Sequence, residues 1–125
     1  MDTHVLAHVL AEPKRLSRDQ ARAINKAIQR GEKLAICAFT LIELALLSVD
    51  GELKAPLDEI LDTLQTNPAF EILPLTCEIA SEFAALLGFR DPADRAIVAT
   101  ARVHRLHLVT VDGNIIKSGL VPVIE

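Results

Sequence analysis

The chain has 125 residues, half of them apolar and 24 % charged, which suits one globular domain with its own core and excludes a disordered chain. A net charge of −4 excludes any general pull on polyanions, so nucleic acid would have to be met by a local basic patch. Cys37 and Cys77 stand far apart in apolar surroundings without CxxC spacing, which predicts buried thiols in a reducing cytosol.

The elements follow in alternation. Val5, Leu6, Val9 and Leu10 recur at helical spacing and stop before Pro13. Ser17 and Gln20 make a capping box for a helix carrying Ala21, Ile24 and Ile28, closed by Gly31. LAIC (34–37) reads as a short buried strand. Thr40 is predicted to open the next helix, with Glu43 three residues on and Asp50-Gly51 at its end. The apolar stretch Leu34–Val49 contains Glu43 and is shorter than a membrane span. No basic segment followed by an apolar one opens the chain, so a cytoplasmic, membrane-free protein is expected.

Pro56 suits the first turn of a helix with Leu57, Ile60, Leu61 and Leu64 on one face. FEIL (70–73) is a strand. Thr76 caps a helix with Ile79, Ala80, Phe83 and Leu87 inward, stopped by Gly88. Asp91-Pro92 starts a helix running to about His104; LHLVTV (106–111) and VPVI (121–124) are strands, the last at an edge because of Pro122. Strands separated by helices predict one α/β domain over residues 1–125, with a parallel sheet and helices on both faces. No repeat or linker interrupts it.

Four acids fall at one end of such a sheet. Asp112 follows the strand LHLVTV, Glu43 lies on the helix after LAIC, Asp94 lies on the first turn after Pro92, and Asp2 precedes the first helix. Ligand sites in open α/β sheets form beyond the carboxyl ends of the strands. Two carboxylates about 4 Å apart repel by roughly 4 kcal/mol at an effective dielectric near 20. Several can share a pocket only if some are protonated or a cation neutralises them, and hard oxygen donors select Mg²⁺ or Mn²⁺. Such a site can activate water against a phosphodiester. Taken singly, each acid has a plainer role: Glu43 as N3 of a capping box, Asp91 as an N-cap, Asp94 as a charge at a helix start, Asp112-Gly113 as a turn.

The segments DTHVLAHVL, TLIELALL, DPADRAIVATA and LVTVD, in that order and at these separations, resemble the PIN-domain ribonucleases, most nearly the VapC-type toxins of toxin–antitoxin pairs. The resemblance covers nearly the whole chain and implies a PIN-like three-layer fold. It places the family's acidic positions on Asp2, Glu43, Asp94 and Asp112, with Thr110 as the hydroxyl residue that helps to organise the site and Asn114 where some relatives carry an acid or amide. It further implies a divalent-metal endoribonuclease that leaves a 3′-hydroxyl and a 5′-phosphate, an RNA substrate, inhibition by a cognate antitoxin, and a homodimer. One departure stands out. Relatives carry a short hydrophobic strand before the first Asp, and here Met1 and Asp2 directly precede the first helix. The expectation is a first strand truncated or missing, sheet neighbours without a partner, and Asp2 on a mobile terminus.

Other constellations are weaker. His4 and His8 have a zinc-compatible spacing but no HExxH and no third ligand; His104 and His107 suit a helix end and solvent. No GxSxG, Walker or Rossmann fingerprint is present. Arg90, Arg95, Arg102, Arg105 and Lys117, or Lys14 and Arg15, are candidates for phosphate contacts. With no Trp or Tyr and four Phe at core-type positions, no stacking platform for bases is expected. Two further readings compete with the nuclease: a non-catalytic, truncated PIN-like module that binds an antitoxin or itself, and a receiver-like phosphoacceptor domain, which no strand read here supports with a suitable Asp.

Overall fold

The computed structural model describes residues 1–125. Asp2 caps α1 (Thr3–Ala11), which ends ahead of a 3₁₀ turn at Pro13–Arg15. The Ser17–Gln20 capping box closes in both directions at the start of α2 (Arg18–Gln29). Gly31, at φ 73°, then turns the chain in a conformation that costs glycine little. The chain next forms β1 (Leu34–Cys37), α3 (Ala38–Val49), α4 (Leu57–Thr66), β2 (Phe70–Leu73) and α5 (Cys77–Ala85). It continues through α6 (Pro92–Val103), β3 (Leu108–Val109), α7 (Gly113–Ser118) and β4 (Val123–Ile124).

The strands form two parallel pairs. β1 runs beside β2 with Leu34 opposite Phe70 and Cys37 opposite Leu73; β3 runs beside β4 with Leu108 opposite Val123. Side chains of β1 alternate between two cores. Leu34 and Ile36 join Leu6, Ile24, Leu44, Ile60 and Leu64, whereas Cys37 joins Ile79, Phe89, Ile97, Leu108 and Ile115. Helices therefore cover both faces, as the alternation of elements predicts. α6 is buried from Ala96 through Ala101 and anchors the second core.

The expected single sheet is divided in the middle. The N-terminal amine of Met1 donates to the Ala35 carbonyl at 3.2 Å, and the Asp2 amide donates to the Val109 carbonyl at 2.9 Å. Met1 and Asp2 thus bridge β1 and β3 with one hydrogen bond to each. Behind them an apolar cavity of about 240 Å³ is lined by Ile24, Leu34, Cys37, Ile97, Leu108 and Val109, among others. Asp2 is not on a mobile terminus: it is 5 % exposed and hydrogen-bonded through backbone and side chain.

Several local expectations are corrected. α3 begins at Ala38, directly after β1, so Thr40 is inside the helix and Glu43 is not part of a capping box. Pro56 is the cap of α4 rather than its first residue. α5 ends at Ala85, before Gly88, which leaves Leu87 exposed instead of inward. β3 is shorter than LHLVTV, and Leu106 and Val111 are exposed. Cys37 is buried, but Cys77, at the first turn of α5, is exposed.

Candidate metal centre

The four acids are held by different devices, and these decide which oxygens remain free. Asp2 is the N-cap of α1, its Oδ1 accepting from the Val5 amide at 2.9 Å. Its Oδ2 accepts from the Val111 amide at 3.0 Å and from the Thr110 hydroxyl in a short hydrogen bond. Thr110 is fully buried, and its Oγ1 in turn accepts from the Asp112 amide at 3.0 Å. One hydroxyl therefore ties the start of α1 to the turn that carries Asp112. Gln20, 1 % exposed, donates through Nε2 to the Thr110 carbonyl at 3.4 Å and fixes the same turn from α2.

Asp112 caps α7, its Oδ1 accepting from the Asn114 amide at 2.8 Å and the Ile115 amide at 3.1 Å. It is a cap rather than a plain turn residue, because the short helix GNIIKS follows it. Asp91 caps α6 through the Ala93 amide at 2.8 Å, as read from Asp91-Pro92. Asp94 sits in the first turn of α6, half-buried.

Glu43 has a partner that no local pattern announces. Thr3 Oγ1 donates to Glu43 Oε1 at 2.5 Å, and the Thr3 and Thr40 hydroxyls lie 3.4 Å apart. Both threonines are buried, so α1 and α3 meet through hydroxyls at the edge of the acid cluster. A hydroxyl following Asp2 and another inside α3 were the only signals available for this contact.

The charges of the other acids bear on Asp94 and Glu43, although Glu43 and Asp2 are not among the residues lining the cleft that holds Asp91, Asp94 and Asp112. Burial, followed by the charges of Asp112, Asp91, Glu43 and Asp2, pushes the Asp94 carboxyl up to about 7. Burial also raises Glu43, and Asp91 and Asp2 add to the rise, while the Thr3 hydrogen bond and His4 oppose it. Asp91, Asp94, Asp112 and Asn114 line one open cleft of about 770 Å³. No third His, Cys, Asp or Glu gathers with His4 and His8, and the Nδ1 of His8 is buried without a partner.

A PIN-domain family model matches residues 1–119, nearly the full chain. The chain belongs to the PIN-domain family. Ribonuclease VapC22 of Mycobacterium tuberculosis is 33 % identical to this PIN domain over 114 residues, 90 % of this chain and 85 % of that protein. No solved structure matches it. The resemblance read from the four ordered segments is thereby borne out, and with it the mixed α/β PIN-like fold and a nuclease of VapC type. No helix is long and apolar enough to cross a membrane.

PIN ribonucleases imply a divalent ion, and the residues present fit one of a particular kind. No three His, Cys, Asp or Glu side chains converge closely enough to enclose an ion directly. Mg²⁺ seldom needs that, because it keeps several waters and takes one or two carboxylates. Burial and neighbouring carboxylates raise the proton affinity of Asp94 and Glu43, and a hydrated cation would neutralise the same excess of negative charge.

Proposed function

We propose that this protein is a metal-dependent endoribonuclease in which Glu43, Asp94 and Asp112 hold Mg²⁺ or Mn²⁺. The observation that supports this most is the Asp94 carboxyl, raised to about 7 by burial and by the acids around it. A bound ion would supply a water of lowered pKa and positive charge against the phosphate oxygens. The protein's own groups do the rest. Thr3 aims Glu43 by taking one oxygen and leaving Oε2 free. Asp112 keeps one oxygen for α7 and offers the other. Asp2, whose oxygens already accept three hydrogen bonds, has the least spare capacity and serves mainly as the floor on which Thr110 and Asp112 are set. Hydrolysis adds water oxygen to phosphorus, breaks the bond to O3′, and returns a proton to that oxygen, leaving a 3′-hydroxyl and a 5′-phosphate.

VapC-type kinship supports a toxin role in the cytoplasm, with a cognate antitoxin as inhibitor and a homodimer as the working form. On α3, beside Glu43, the exposed Ile42, Leu46 and Val49 follow helical spacing and offer an apolar stripe for such contacts. The test is cleavage of single-stranded RNA with Mg²⁺, with Mn²⁺ and with EDTA. Cleavage is expected with either ion and not with EDTA, and Asp94→Asn should abolish it while circular dichroism stays unchanged. Full cleavage by folded Asp94→Asn protein would remove the proposal.

A further inference from the structure

A cluster of carboxylates repels the phosphodiester it is meant to cut, and the chain as a whole carries a charge of −4. Basic side chains within about 10 Å, the reach of a charge at 0.1 M salt, would offset that repulsion in addition to a bound ion. Five basic residues stand near the acids in sequence, and the structure separates them. Arg95 is spent on the fold: its Nε donates to the Phe83 carbonyl at 3.2 Å, its Nη2 to the Ala84 carbonyl at 3.5 Å, and its guanidinium lies 4.5 Å from the Phe83 ring centre. Arg102 is spent likewise, on Glu82 at 2.5 Å and the Leu120 carbonyl at 2.5 Å. Arg105 lines a different cavity, with Glu78 and Arg102.

Arg90 and Lys117 remain. Both are exposed, and both line the cleft that holds Asp91, Asp94 and Asp112. Neither makes a salt bridge, although carboxylates share the cleft. Arg90 precedes the cap of α6, and Lys117 lies in the last turn of α7. Arg90 thus lies just before the helix that carries Asp94, and Lys117 on the helix that Asp112 caps.

We propose that Arg90 and Lys117 form a phosphate-binding subsite that grips the RNA backbone beside the acid cluster. This rests on the ribonuclease reading above and adds to it the path of the substrate. Phe89, next to Arg90, is buried in the core, and there is no Trp or Tyr. The grip is therefore on phosphate rather than on stacked bases, and it is indifferent to sequence.

The experiment is binding of a fluorescent single-stranded 12-mer RNA by the full chain in EDTA, where no cleavage occurs, over a series of salt concentrations. Arg90→Gln with Lys117→Gln should weaken binding about tenfold at low salt and make the slope of log K against log salt shallower by about 1.4, since each single-strand phosphate contact contributes about 0.7. The loss should be alike for RNAs of different sequence. Arg90→Lys with Lys117→Arg should restore most of the affinity, and Lys26→Gln, outside the cleft, should change nothing. The proposal is overturned by a double variant that binds within twofold of the wild type with the same slope, or by a wild type that binds no RNA. Cleavage by a wild type whose binding ignores both cations would leave the ribonuclease reading standing and remove the subsite. Cation-dependent binding without cleavage would do the reverse.

Discussion

Thr3 Oγ1 donates a 2.5 Å hydrogen bond to Glu43 Oε1 across 40 residues of chain, joining the first turn of α1 to the second turn of α3. A carboxylate held this way loses little freedom when it takes a cation, because its orientation is set beforehand. Thr3→Val keeps the shape and removes the hydroxyl. It is expected to weaken Mn²⁺ binding and RNA cleavage about tenfold or more. Thr3→Ser should retain most of both. Calorimetric titration of Mn²⁺ into the three proteins decides it; equal affinities for Val and Ser would show that the hydroxyl only packs.

The Asp94 carboxyl, raised from 3.8 to about 7 chiefly by burial and then by Asp112, predicts two opposite pH trends. Between those values the folded state binds more protons than the unfolded one, so metal-free stability falls as pH climbs and the loss is complete above about 7. Metal binding runs the other way, since ion and proton compete for the carboxylate, and affinity should climb through the same range. Asp94→Asn should therefore raise the metal-free Tm at about pH 8 and leave it unchanged near pH 4. Melting curves at both pH values check the sign.

Asp112 has two duties that substitution can separate. Asp112→Asn keeps an oxygen for the Asn114 and Ile115 amides and removes the charge. Asp112→Ala removes both and should cost about 1 kcal/mol of stability through the lost cap. Cleavage should disappear in each, with denaturant unfolding near wild type for Asn and measurably weaker for Ala. Asn protein that cleaves normally would reduce Asp112 to a cap.

The cavity between β1 and β3 is apolar, about 240 Å³, and bounded by two parallel strand edges, and burial holds the α-amine of Met1 beside it below its usual pKa. Fusing four or five Val and Ile residues ahead of Met1 would fill the cavity, pair both edges and replace a buried amine by an amide. A higher Tm than that of a Gly-Ser fusion of equal length is expected, together with slower amide exchange at Leu34–Cys37 and Leu108–Val109. Equal melting of the two fusions would mean that the slot does not accept a strand.

Where short-range chemistry decides the structure, the residues could be read directly. LAIC and FEIL coincide with β1 and β2: four residues between turn signals are too few for a helix, and both segments are rich in apolar residues. Ser17-Gln20, Thr76 and Asp91 cap as their types demand. Thr40-Leu41-Ile42-Glu43 has the pattern of a capping box, but Thr3 stands opposite and takes both the Thr40 hydroxyl and the Glu43 carboxylate as partners inside α3. α7 escaped because Asp112-Gly113-Asn114 reads as a turn and six residues are too few for a helical period. The strand pattern made legible that Glu43 and Asp112 lie beyond the carboxyl ends of β1 and β3. Which of the acids' oxygens remain free was not legible, because it depends on which ones the caps and threonines consume.

The most direct measurement is calorimetric titration of Mn²⁺ into the wild type and Asp94→Asn at about pH 8, where the Asp94 carboxyl is ionised. The account predicts saturable binding by the wild type and binding weaker by at least about tenfold in the variant, with both proteins folded. Identical isotherms for the two, or none for the wild type, would contradict it.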